Sequence, residues 1–282
     1  MKNMFSVLFQ DAWNKFMIFL KKPVWAIVAM LPIAFAGWMC FEFTNYVGVA
    51  GIDYNYIGYS GLFIFLFQTF FKFIPFESFF GFFAEGPVLL PFALGCLVFI
   101  VYRLVDVSFS KQTPALSGMK KSDQLASLAS FVVFEMMIAL VFVAVFLCAA
   151  IILSIIANVA FGLNLIHAMI VLVIITPVFQ LIVVVLKQII RNSIVAFCVS
   201  FSAFGIFLVL DVLSYYPDQQ GIFPVFGIIH LVLQWISPAH YGIAGIVGAS
   251  FGAFIINVLF LVILGSVFGA TGMLVAGRKG VK

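Results

Sequence analysis

Charge is what this chain has least of. Only 9% of its 282 residues are Asp, Glu, Lys or Arg, while 65% are hydrophobic. A soluble domain carries about 25% charged residues, and no water-facing surface can be covered by so few. That excludes an ordinary soluble enzyme and places the chain in a bilayer, where a spanning helix takes about 20 residues. With connectors, the length allows roughly six such helices and no large soluble domain. The net charge of +4 fits basic flanks beside membrane spans better than a nucleic-acid surface.

Other absences narrow the chemistry. The four cysteines, Cys40, Cys96, Cys148 and Cys198, lie in separate apolar segments with no CxxC pair. They read as small buried apolar residues, neither disulfide nor metal ligands. The chain lacks GxxxxGK[ST], so it does not hydrolyse ATP by the P-loop route. It has no HExxH pair, and His167, His230 and His240 fall in different segments, so no metal site is expected. There is no Asn-x-Ser/Thr sequon. No cleavable leader is expected, because a long amphipathic segment precedes the first apolar run.

That segment, 3–22, alternates at helical spacing. Phe5, Leu8, Phe9, Ala12, Trp13, Phe16, Phe19 and Leu20 share one face, and Asn3, Ser6, Gln10, Asp11, Asn14 and Lys15 the other. This predicts a helix in the headgroup plane, ending at Lys21-Lys22-Pro23 because proline disfavours helix at the residue before it. Six spans follow, at about 24–43 (with Pro32 as a kink), 88–105, 131–157, 166–187, 194–213 and 251–276. The fold class is therefore all-α: a polytopic membrane protein of one transmembrane domain, 1–282.

Two apolar stretches are left over. Between Gly61 and Phe83 the chain reads GLFIFLFQTFFKFIPFESFFGFF, with eleven phenylalanines in 23 residues. The second, GIFPVFGIIHLVLQWIS, is short and broken by Pro224. Positive charge decides their fate. Lys2, Lys15, Lys21 and Lys22 precede span one. Arg103, Lys111, Lys120 and Lys121 follow span two. Lys187 and Arg191 lie between spans four and five, and Arg278, Lys279 and Lys282 end the chain. Six crossings put these thirteen of the fourteen basic residues on the cytoplasmic side, as the positive-inside rule expects. Only Lys72 is left out. So the Phe-rich segment, 61–84, should lie in the outer leaflet without crossing. The element 221–249 should enter from outside and return, which backbone does only where protein or a wet cavity surrounds it. Both termini are then cytoplasmic.

The loop 106–130 is the longest cytoplasmic connection. Thr113-Pro114 predicts a helix N-cap with proline at the first position, and Ser122 a cap for a second helix running into span three; a plain solvated connector is the alternative. Gly265, Gly269 and Ala276, with Gly248 and Gly252 upstream, predict close helix packing in span six. Most acids sit at span ends: Glu42, Asp211 and Asp218 outside, Asp106 and Asp123 inside. Glu135 lies early in span three. It reads either as a proton-carrying group or, more plainly, as an anchor reaching headgroups or pairing with Arg103.

Taken together, FLKKP, VWAIVAMLPIAF, the basic loop YRLVDVSFSKQTPALSGMKKSDQLASL, the turn KQIIRN and the closing WISPAHY resemble the membrane subunit of an ABC-2 type transporter, the type V exporter fold. The resemblance covers the whole chain as architecture. It implies that the N-terminal helix is the connecting helix, with Trp13, Phe16, Lys21 and Lys22 as its anchoring residues. Loop 106–130 and the turn 188–193 would couple to a separate ABC ATPase dimer through Lys111, Pro114, Lys120, Lys121, Asp123, Gln188 and Arg191. ATP and magnesium would be bound by that partner, with no cofactor in this chain. A second copy or a sibling permease would complete the transporter, in a bacterial or archaeal plasma membrane. Spans one, two and five would line the path. The Phe-rich insertion departs from the usual pattern. It suits interfacial anchoring, or an amphipathic or hydrophobic substrate (peptide, lipid-like molecule or drug). Phe63, Phe67, Phe70, Phe71, Glu42 and Asp211 are the candidates for contact with it.

Two other readings compete. Gly58-Tyr59-Ser60-Gly61 resembles the GxSG of rhomboid proteases and Ala239-His240-Tyr241-Gly242 their histidine segment, which would make Ser60 nucleophile and His240 base. The chain lacks the glycine three residues after that histidine. A non-catalytic scaffold or immunity protein would need neither ATPase nor nucleophile.

Overall fold

The computed structural model describes residues 2–23, 25–48, 90–110, 113–157, 163–190, 192–214, 235–238, 241 and 251–279. Among them the regular structure is helical throughout, in seven long helices: α1 (Lys2–Leu20), α2 (Trp25–Gly48), α3 (Leu90–Phe109), α4 (Lys121–Ala157), α5 (Leu163–Ile189), α6 (Ser193–Ser214) and α7 (Phe251–Lys279). Six of these coincide with the six apolar segments read from the sequence. Three, over Lys121–Ile152, Met169–Ile189 and Phe254–Gly277, are long and apolar enough to cross a bilayer by length and composition, an architecture compatible with a helical membrane protein. The Phe-rich segment 61–84 lies outside the described residues, as does nearly all of 221–249.

The chain turns by 79° between Ser6–Leu20 and Trp25–Trp38. The turn falls at Lys21-Lys22-Pro23, where a proline without N–H ends the helical ladder and Trp25 and Ala26 restart it on the carbonyls of Lys22 and Pro23. α1 docks on α4 through Ala12, Phe16 and Phe19, all buried. Phe19 meets Phe134 edge-on, with ring centroids 6.4 Å apart.

α5 is the central post. α7 packs along it, and α3, α4 and α6 all touch it; α2 lies against α3 and α4. Close approach of α7 depends on missing side chains. A Cβ on Gly265 would sit 3.2 Å from Val178 Cγ2, and one on Gly272 would sit 3.4 Å from Val185 Cγ2. The packing role expected of Gly265 and Ala276 is thus met, whereas Gly269 faces open space. Pro32 and Pro177 sit inside α2 and α5 without ending them, as neighbouring helices permit.

Three expectations change. Thr113-Pro114 opens no helix: 113–120 is irregular and tightly turned. The Thr113 hydroxyl instead donates back to the carbonyls of Val107 (2.5 Å) and Ser110 (3.3 Å), closing the end of α3. Ser122 does not cap α4 either. The carbonyl of Lys120 accepts from the N–H groups of Asp123 and Gln124, so the helix starts two residues earlier, at Lys121, and the Ser122 hydroxyl turns to Asp123 Oδ1 at 3.2 Å. Cys148 and Cys198 are exposed free thiols, not buried ones; an apolar side chain facing lipid has no need of a protein neighbour. The side chains of Cys40 and Cys96 lie outside the described residues.

Candidate functional site

Two polar constructions stand out in this apolar bundle, and both gather at the end of α3. The first is ionic. Arg103 is fully buried, as is Glu135. Nε of Arg103 donates to Glu135 Oε2 at 3.0 Å and Nη2 to Oε1 at 2.7 Å, a two-pronged pair between α3 and α4. Nη1 reaches Asp106 Oδ2 at 2.7 Å, one turn along α3. The guanidinium carbon lies 5.5 Å from the Phe19 ring centre, 5.8 Å from Tyr102 and 5.9 Å from Phe134. Delocalised charge, planar donors and aromatic faces suit arginine here where lysine would not. The pairing of Glu135 with Arg103 read from the sequence is present. Two carboxylates hold one guanidinium that stays charged, which ties α1, α3 and α4 together.

The second construction holds the loop. Gln188, buried at the end of α5, accepts from the Leu116 N–H at 3.3 Å and donates to the Pro114 carbonyl at 3.0 Å. Gln124 of α4 donates to the Leu116 carbonyl at 2.9 Å. Lys187 Nζ donates to the carbonyls of Val107 and Ser110, at 3.2 and 3.3 Å. Leu116, fully buried, drops into the space that Gly272 of α7 leaves open. Gly118 then reverses the chain with φ at +83°, a conformation that favours glycine. Loop 113–120 is a clamp bound to α3, α4, α5 and α7.

The expected site residues divide cleanly. Lys120, Lys121 and Asp123 are exposed, while Pro114 and Gln188 are buried inside the clamp. On α1, Phe16 is buried, Trp13 and Lys21 are exposed and Lys22 is half-buried. Lys111, Arg191, Phe63, Phe67, Phe70, Phe71, Ser60 and His240 lie outside the described residues. Glu42 and Asp211 belong to α2 and α6, with side chains outside the description. Among the described residues no three His, Cys, Asp or Glu side chains gather as a metal would require.

Sequence reasoning missed Leu116, Gln124 and the carbonyl-binding role of Lys187. It also missed the Asp11 contact: Asp11 Oδ2 accepts from Lys15 Nζ (2.7 Å) and from the Ser130 hydroxyl (2.5 Å), joining α1 to α4. Burial alone would raise the Asp11 pKa, but the bonds from Lys15 and Ser130 outweigh it and hold the carboxyl below its ordinary value. No protein-family model, curated protein or solved structure matches the chain.

Proposed function

We propose that this chain is the permease subunit of an ABC-2 type exporter, crossing the membrane six times with both termini cytoplasmic and moving an amphipathic or hydrophobic substrate. The observation that supports it best is the clamp. A permease of this class has no P-loop of its own and receives force from its ATPase through a surface attached to its spans. Loop 113–120 has that attachment. Its tip, Ser117 to Lys120, is exposed, while Leu116 and the bonds to Gln188 and Gln124 link it to α4, α5 and α7. The length of α4 adds support. Its 37 residues span about 55 Å, well beyond a hydrocarbon core of about 30 Å, so the helix is long enough to reach past the core and leave Lys121 beside the loop.

In this reading an ATPase dimer binds ATP and magnesium and presses on Met119, Lys120 and Asp123. A displacement there pulls Leu116 against α7 and Gln188 against α5. The rigid Arg103–Glu135 joint keeps α1, α3 and α4 moving as one body.

The test is affinity purification of the full chain from its native membranes, followed by labelling with a photoreactive ATP. A nucleotide-labelled partner chain should copurify and be lost with Met119→Asp/Lys120→Glu. Gln188→Ala should retain the partner but lose stimulation of its ATPase by the permease. Absence of any nucleotide-binding partner, or its retention after deletion of 113–120, sinks the proposal.

A further inference from the structure

One cavity lies outside both constructions. It is an open groove of about 400 Å³ between α4, α5 and α7, lined by α4 over 125–136, by α5 around Pro177 and Leu181, and by α7 over 262–273. Nearly all its wall is apolar. Gly269 lines it, and a Cβ built there meets no atom within 4 Å.

Three features identify an occupant. The first is length. From Leu125 to Met136 the α4 wall runs twelve residues, about 16 Å of helix, or one leaflet of a core about 30 Å thick. The second is volume. A cavity of about 150 Å³ accepts benzene, so 400 Å³ suits an apolar chain of roughly fifteen carbons on the same scale. The third is charge. Lys121, Leu125, Leu128, Val132 and Met136 are spaced i, i+4, i+7, i+11 and i+15, a single stripe of α4. An exposed ammonium therefore stands at one end of the groove, and it pairs with no described carboxylate. Asp123 lies on the far side of the helix. The α4 N-terminus adds partial positive charge at the same end.

We infer that the groove is a binding site for one anionic phospholipid, its acyl chain between α4 and α7 and its phosphate on Lys121. Basic pockets at the membrane-facing ends of helices take such headgroups. A second copy of the chain fits less well, since a two-fold axis through the groove would bring two Lys121 ammoniums together. The site requires only that α4, α5 and α7 lie in a bilayer. It stands whether or not the chain is a permease, and its test involves no ATPase.

The test uses the purified full chain in detergent with a phosphatidylglycerol carrying a diazirine in its acyl chain. Irradiation should label α4 within 125–136 and α7 within 262–273. Unlabelled phosphatidylglycerol should compete; phosphatidylcholine and inorganic phosphate should not. Lys121→Gln should weaken phosphatidylglycerol about fivefold. Gly269→Leu should remove the label from the groove, and Val262→Trp at the exposed rim should do the same if the first variant does not fold. Equal competition by phosphatidylcholine overturns headgroup recognition. Competition by inorganic phosphate makes Lys121 a free-anion site and overturns the lipid. Label that survives both filling variants overturns the groove, and a disulfide between two Gly269→Cys chains gives it to a second copy.

Discussion

Arg103 carries its charge into a region where charge is expensive, and each of its three guanidinium nitrogens has an acceptor: two oxygens of Glu135 and one of Asp106. Such a pair adds little over an apolar replacement but costs much when one partner is removed. Arg103→Met should therefore destabilise the chain by about 3–5 kcal/mol, because Glu135 is left buried and unpaired. Arg103→Met/Glu135→Leu should recover most of that loss, since Asp106 is only half-buried and can turn outward. Thermal unfolding in detergent measures both. Additive losses in the double variant would mean that the two residues do not act as a pair.

At the scale of the element, α1 divides its surface three ways. Ala12, Phe16 and Phe19 are buried on α4; Phe9, Trp13 and Met17 form an exposed apolar stripe beside them; Gln10, Asp11 and Asn14 are exposed and polar. A helix with one apolar side against protein and another left bare is suited to the bilayer interface. Its polar tie to α4 is Asp11, whose carboxyl lies below its ordinary pKa of 3.8. A depressed carboxylate contributes its stability above the unfolded-state value and loses it as the pH falls through the folded one. Docking of α1 should therefore be constant from neutral pH down to about pH 5 and weaken below about pH 4. Trp13 fluorescence against Trp25→Phe/Trp38→Phe/Trp235→Phe backgrounds reads the change, and Asp11→Asn should abolish this component. A pH response unchanged in Asp11→Asn would assign it to other carboxylates.

At the scale of the molecule, the proposed topology makes one decisive statement. The clamp tip shares a side of the membrane with both termini. A cysteine placed at Ser117, which is exposed, should resist a membrane-impermeant maleimide in intact cells and react fully after permeabilisation. Labelling from outside would reverse the parity of every later crossing and remove the proposed docking surface from the ATPase compartment.

Much of this molecule was legible before any coordinates. Blocks of about 20 apolar residues can satisfy their backbone only as helices in lipid, so six of the seven helices and the proline-ended α1 follow from composition and periodicity. The Glu135–Arg103 pair was legible too, because two opposite charges in an apolar chain have few other partners. The loop was misread for a definite reason. Thr113-Pro114 has the local chemistry of a helix start, but the carbonyl ends of α3 and the amide of Gln188 offered its polar groups better bonds than a helix would. Likewise the exposure of Cys148 and Cys198 depends on which helix face meets lipid, and a uniformly apolar helix does not encode that.

Sequence alone thus located the helical segments and the break after α1, since these depend on hydrophobicity, proline and charge within a single segment. The tertiary structure alone decided the clamp, the Asp11–Ser130 tie and the groove at Gly269. Each is made where helices far apart in the chain converge, and their hydrogen bonds and empty space belong to no one segment.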